Sequence, residues 1–183
     1  MSPRRFVSPV PLRPSVLSTW AALFLALALA LPGAALAQDI PSPEEFFGFQ
    51  MGADRKLAHW DNLLEYYDLI NEASDRVLVR DMGPSTWGNR FLSIFVSSPE
   101  NLANLDELKR LNAILQDPRG HSEAEIQNAI ANGKVVFVQT YGLHASEVAA
   151  SQTIAEVIYE MATRNDEVMQ AILDNTIAIM VPC

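Results

Sequence analysis

A run from Val135 to Tyr141 that is apolar or β-favouring throughout, a helix-periodic stretch from Ala145 to about Arg164, and a second apolar run from Thr176 to Val181 restrict the fold more than anything else in this chain. A strand that is apolar without alternation is the kind buried on both faces, the habit of strands in parallel sheets. Between the runs, Val148, Ala149, Ile154, Ala155, Ile158 and Met161 fall at helical spacings and predict an amphipathic helix. Strand, helix and strand form a βαβ unit, for which a right-handed crossover is expected. The fold class that follows is α/β, a mixed, largely parallel sheet with flanking helices.

Ligands in open α/β sheets bind beyond the carboxyl ends of the strands, and that is where this pattern delivers His144 and Glu147. Gly142 lets the backbone turn sharply just before them. An imidazole nitrogen and a carboxylate oxygen are both good Zn²⁺ donors, and two histidines, a glutamate and water form a standard catalytic zinc set. The pair would supply two of the three protein ligands. The first turn of a helix also presents unpaired N–H groups that suit an acid such as Glu147. The residues alone therefore leave two readings open, a metal-binding pair or a helix-start acid beside a histidine with its own partners.

The leader points to export. Arg4, Arg5 and Arg13 precede an apolar run from Trp20 to Leu31, Pro32-Gly33 breaks it, and Ala35-Leu36-Ala37 offers small residues for cleavage. This is the pattern of a secretory signal peptide over residues 1–37. Its apolar run falls short of the roughly 20 residues that a membrane helix needs, so no stable membrane insertion is expected after cleavage. A secreted or periplasmic location follows. Without the leader, ten Lys and Arg face 22 Asp and Glu, a formal charge of −12. So acidic a surface opposes nucleic-acid phosphates and anionic lipid, and excludes nucleic acid as the expected partner. Cys183 is the one cysteine, so no internal disulfide is possible.

Residues 38–53 read as a flexible lead-in segment, and the folded domain is expected over 54–183. From Asp54 to about Ser74, Leu57, Trp60, Leu63, Leu64, Tyr67 and Ile70 recur at helical intervals. Trp60, Tyr66 and Tyr67 are assigned to core and rim packing in preference to a ligand platform. Arg76 to Asp81 and Phe91 to Val96 resemble a hairpin around Gly83 and Gly88, with Trp87 exposed at its turn. Asn101 to Gln116 is expected to be one helix with Leu102, Leu105, Leu108, Leu111 and Leu115 buried. Ser122-Glu123-Ala124-Glu125 is a capping-box sequence opening a short helix that ends near Gly133, which makes Glu123 and Glu125 helix-start residues and not a catalytic pair. His59 and His121 read as surface residues. Neither a phosphate-binding glycine loop nor a G-x-S-x-G nucleophile elbow is present.

Gly142-Leu143-His144-Ala145-Ser146-Glu147 resembles the strand-terminal G-x-H-x-x-E signature of the carboxypeptidase A-like zinc carboxypeptidases. Gly83-Pro84-Ser85-Thr86-Trp87-Gly88 is similar to that family's G-x-S-x-x-G turn, and Phe91 to Val96 to the core strand after it. The segment from Asn165 to Asp174 and the strand Ile177 to Pro182 look like the approach to the family's N-P-D-G motif. The resemblance spans about residues 50 to 183. It implies Zn²⁺ as cofactor, with His144 and Glu147 as metal ligands, and peptides as substrates that lose C-terminal residues.

Departures from the pattern limit what carries over. Asn89 stands where an arginine usually follows the turn, with Arg90 one place later, and Ser146 replaces an arginine common before the motif glutamate. No residue here matches the family's third zinc ligand, a histidine, or its catalytic glutamate. The expectation is therefore an N-terminal, truncated and inactive part of an exported metallocarboxypeptidase, with an open, aggregation-prone sheet edge near Thr176 to Val181. Two alternatives stay open, an acyl-amino-acid amidohydrolase of the aspartoacylase-like branch and a non-catalytic exported binding module.

Overall fold

The computed structural model describes residues 39–144 and 146–182. The expected signal peptide over 1–37 and the cysteine at 183 lie outside the described residues. One short element opens the described part. Helix α1, Pro43–Phe47, starts in a capping box: the Ser42 hydroxyl accepts from the Glu45 N–H, and the Glu45 carboxylate accepts from the Ser42 N–H at 2.8 Å. The lead-in segment thus contains an ordered turn despite its prolines, because Pro43 occupies the helix position that needs no N–H.

Helix α2, Trp60–Ala73, buries Leu63, Tyr66, Tyr67 and Ile70 along one face. It starts six residues later than its periodicity suggests. Residues 50–56 instead make tight turns, and Arg55 adopts a left-handed φ of 60° that no helix accommodates. Tyr66 packs against Phe46 and Phe47, with centroids 4.9 and 5.3 Å away, and its hydroxyl donates to the Pro41 carbonyl at 2.8 Å. Burial pushes that phenol well above its ordinary range, so Tyr66 stays neutral and the lead-in remains tied to α2.

Strands β1 (Val77–Pro84) and β2 (Arg90–Val96) pair antiparallel as the expected hairpin, from Val77 opposite Val96 to Pro84 opposite Arg90. Arg90 clasps the hairpin to α2. Its guanidinium donates to both oxygens of Asp68, at 2.7 and 3.3 Å, and to Asp81 at 3.0 Å. The predicted single helix after the hairpin is two, α3 (Pro99–Ala103) and α4 (Leu105–Gln116), separated at Asn104 where φ is −115°. Leu108, Leu111 and Ile114 form the buried stripe of α4, and the expected Leu115 is exposed. Helix α5, Glu123–Asn132, opens with the anticipated Ser122–Glu125 capping box.

The βαβ unit consists of strand β3 (Val135–Thr140), helix α6 (Val148–Thr163), helix α7 (Glu167–Asn175) and strand β4 (Thr176–Val181). The four strands lie in the order β1-β2-β4-β3. β3 and β4 are parallel, from Val135 opposite Thr176 to Thr140 opposite Val181, while β4 and β2 are antiparallel. The sheet is mixed, as expected, but its parallel part is one pairing of three, because the hairpin brings β2 alongside β4 in the opposite sense.

Alternation along β2 and β4 divides the core into two layers. Leu92, Ile94, Val96, Ala178 and Met180 pack with Leu63, Ile70, Ile154 and Ile158 of α2 and α6. Ile177, Phe95 and Ile179 meet Leu108, Leu111, Ile114 and Ala129 of α4 and α5 on the other face. Near the junction of α7 and β4, buried Asn101 directs its side-chain amide at the carbonyls of Leu173 and Asp174, at 3.0 and 3.1 Å, and at the Ser97 hydroxyl. Those carbonyls belong to the last turn of α7, which the helix itself cannot satisfy.

Two expectations about the sheet are overturned. Thr176 to Val181 is no open edge, since β4 is hydrogen-bonded on both sides. The edge strand beside β4 is β3, and it is exposed along its whole length, with Val135 64% and Val138 63% accessible, not covered on both faces. An apolar strand paired on one side presents a row of free backbone groups to other chains. Val138→Lys is accordingly expected to raise the soluble fraction of the expressed chain, measured by light scattering on matched samples. Asn101→Ala is expected to cost about 1–3 kcal/mol in urea unfolding, because it removes the amide donor to the Asp174 carbonyl and the Ser97 hydroxyl, while the Leu173 carbonyl keeps the Ser98 N–H and the Ser97 hydroxyl. An unchanged midpoint would remove that network from the stabilising interactions.

Candidate metal centre

Parallel pairing carries β3 to the rim of the sheet, and the Tyr141 N–H, donating to the Val181 carbonyl at 2.9 Å, is the last ladder bond before the chain departs. Gly142 then takes φ +78°. That left-handed φ strains any side chain, and a Cβ there would also lie 2.9 Å from the Ser151 hydroxyl, so glycine suits the bend by which the strand end folds back onto the first turns of α6.

Beyond this bend the sequence pair is brought together. Nδ1 of His144 lies 2.6 Å from Oε1 of Glu147, and the His144 backbone N–H donates to Oε2 at 2.9 Å. A turn closes beneath them, with the Glu147 N–H donating to the His144 carbonyl at 2.9 Å. Both side chains face solvent, 68% and 45% accessible. The His144 ring, first, and the His144 backbone N–H, second, hold the Glu147 carboxyl below the usual carboxylate range. Burial opposes these two bonds only as a lesser effect, and Glu147 is an anion throughout the neutral range.

The helix-start expectation for Glu147 is met in position and not in bonding. α6 begins at Val148 rather than Ala145, and Glu147 is its N-cap residue, yet the side chain makes no capping bond. The carboxylate turns back to His144 instead. Val148 and Ala149, expected on the buried stripe, are exposed, and Gln152 is the first buried residue of the helix. Sequence reasoning missed Gln152 because a lone glutamine carries no periodic signal. Its amide accepts from the Ala58 N–H at 2.8 Å and donates to the Ala58 carbonyl at 3.2 Å. Alongside, a groove of about 360 Å³ runs between Met51, Lys56 and Leu57 on one wall and Val148, Gln152 and Thr153 on the other.

Other candidates stay apart from the pair. His59 is exposed at the start of α2, and His121 lies 3.8 Å from Glu125 at the start of α5. Among the described residues no three of His, Cys, Asp and Glu converge in a way that would hold a metal ion. The pH behaviour of the pair follows from the lowered carboxyl. A depressed folded-state value means that the bond to His144 favours the native state above the unfolded carboxyl value and is lost as pH falls through the folded one. In a carboxyl NMR titration, Glu147 should have its midpoint below that of a free glutamate, and His144→Ala should move it up. Coincident midpoints in the two proteins would show that the ring does not hold the carboxylate.

With the geometry in hand, comparison with known proteins gives three results. A search of curated proteins finds no match. Among solved structures, carboxypeptidase A from Helicoverpa armigera is similar over 88% of this chain at 16% identity and a TM-score of 0.48, and this chain spans 31% of the length of that structure. The sequence profile of the zinc carboxypeptidases matches residues 63–183, more than half of the chain and inclusive of His144 and Glu147. The chain therefore belongs to the zinc carboxypeptidase family.

Proposed function

We propose that this chain supplies two zinc ligands, His144 and Glu147, to an exported metallocarboxypeptidase that removes C-terminal residues from peptides. The observation that carries the reading is the 2.6 Å contact between imidazole and carboxylate at the carboxyl end of β3. The donor set fits the ion, since both groups are ordinary zinc ligands and Glu147 needs no deprotonation at neutral pH. Zinc in such a site supplies Lewis acidity toward a peptide carbonyl and toward water. The residues of this chain contribute orientation. Gly142 turns the backbone, the His144 N–H fixes one carboxylate oxygen and the His144 ring fixes the other, so the donors are gathered before any ion arrives.

A catalytic zinc takes three protein ligands and keeps a fourth position open. Among the described residues no third His, Cys, Asp or Glu joins the pair, so the site they form is expected to hold zinc weakly and to lack the ligand set for peptide hydrolysis. The leader over residues 1–37 supports export. Among the described residues no helix is long and apolar enough to cross a membrane. The acidic surface favours peptide over nucleic acid as the partner. The family match also favours peptide hydrolysis over the cleavage of acylated amino acids.

Zinc titration by calorimetry tests the assignment. Wild-type chain should bind one ion per molecule, and His144→Ala or Glu147→Ala should weaken binding at least about tenfold, as expected when one of so few ligands is lost. Equal affinity in all three proteins would remove the pair from the site and leave the non-catalytic binding module as the better reading. Release of C-terminal amino acids by the zinc-loaded chain would overturn the inactivity.

A further inference from the structure

We infer that Gln152 is a positioning residue for the His144–Glu147 turn, an inference that rests on the metal-site reading above. The start of α6 lacks the two ordinary supports of a helix end. Its N-cap residue, Glu147, makes no side-chain capping bond because its carboxylate is engaged with His144. Its first turn has no buried apolar residue, since Val148 and Ala149 are exposed and Ala150 is half-buried. The far end of the helix is differently placed. Ile154, Ala155, Ile158, Met161 and Ala162 are in the core, and the Arg76 guanidinium donates to the Arg164 carbonyl at 2.7 Å.

Gln152 is where the site end is held. It is 7% exposed, and its amide makes a two-point clamp on the backbone of Ala58, 94 residues away. Both polar ends of a buried amide are satisfied by the N–H and C=O of one residue, which fixes distance and orientation together. The clamped loop is itself constrained, since Arg55 three residues earlier holds a left-handed φ of 60° that free arginine avoids. Next to Gln152, the Ser151 hydroxyl abuts Gly142, 2.9 Å from where a Cβ would stand. The clamp therefore reaches the metal turn by packing: Ala58 holds Gln152, its neighbour Ser151 backs Gly142, and Gly142 sets the path of the chain into His144 and Glu147.

Gln152→Met in the full chain removes both hydrogen bonds and keeps most of the volume. The test reads amide hydrogen exchange residue by residue together with zinc affinity. Exchange at the His144 and Glu147 amides should quicken about tenfold or more while Val79 and Ile94 of the hairpin stay as in wild type, because only the local opening is affected. Zinc affinity should fall about 10- to 100-fold, the usual effect of removing a group that orients a metal ligand. Gln152→Glu, which keeps an acceptor for the Ala58 N–H, should recover part of the protection, and it carries the test if the methionine variant fails to fold. Exchange that quickens equally at every site, or is unchanged at His144 and Glu147, overturns the inference. His144→Ala is the control: if it leaves zinc affinity untouched, the metal reading fails, while the exchange pattern still decides whether the clamp orders the turn.

Discussion

Parallel pairing of Val135–Thr140 with Thr176–Val181 is the interaction from which the rest of the molecule follows. Parallel neighbours need a crossover, and here α6 and α7 provide it, packing the intervening chain onto the sheet. Because both strands run the same way, they end together at one rim, and whatever leaves β3 does so beside the end of β4. Tyr141 seals that position with a final bond to Val181, so the turn carrying His144 starts from a fixed point and not from a free loop. Register matters equally. A one-residue slip of β4 would exchange Ile177 and Ile179 with Ala178 and Met180, turning each core layer inside out.

The sequence made the βαβ order, the hairpin and the pairing of His144 with Glu147 readable because each rests on local periodicity or on a few adjacent residues. What escaped it depends on partners far along the chain. The apolar run from Val135 implied burial, but exposure is decided by which strands neighbour it, and β3 has one neighbour among the described strands. The same gap produced the opposite error at Thr176–Val181, whose second partner is β2, about 80 residues earlier. Helix boundaries were misjudged where a backbone conformation outvoted periodicity, at Arg55 before α2 and at Asn104 between α3 and α4. Gln152 was invisible for a further reason: its partner is a backbone peptide at Ala58, and backbone groups leave no mark in a sequence.

Glu147 shows how a local rule gives way when a side chain has another task. A glutamate at the N-cap position could leave its N–H neighbours to water and lie free, or help to cap α6 at a typical gain of about 1 kcal/mol. It does neither, and turns both oxygens on His144. That choice brings little stability, because a solvent-exposed contact between polar side chains contributes at most a small net amount even at short range. What it does bring is order. Two exposed side chains, each otherwise free to sample several rotamers, are confined to one arrangement in which a nitrogen and an oxygen lie side by side. A helix start that forgoes its cap, a glycine suited to its bend, and a buried amide that replaces apolar packing all occur within the span 142–152. Such departures from ordinary folding preference are expected to gather at functional positions, where the fold is shaped by what must be held there and not by stability alone.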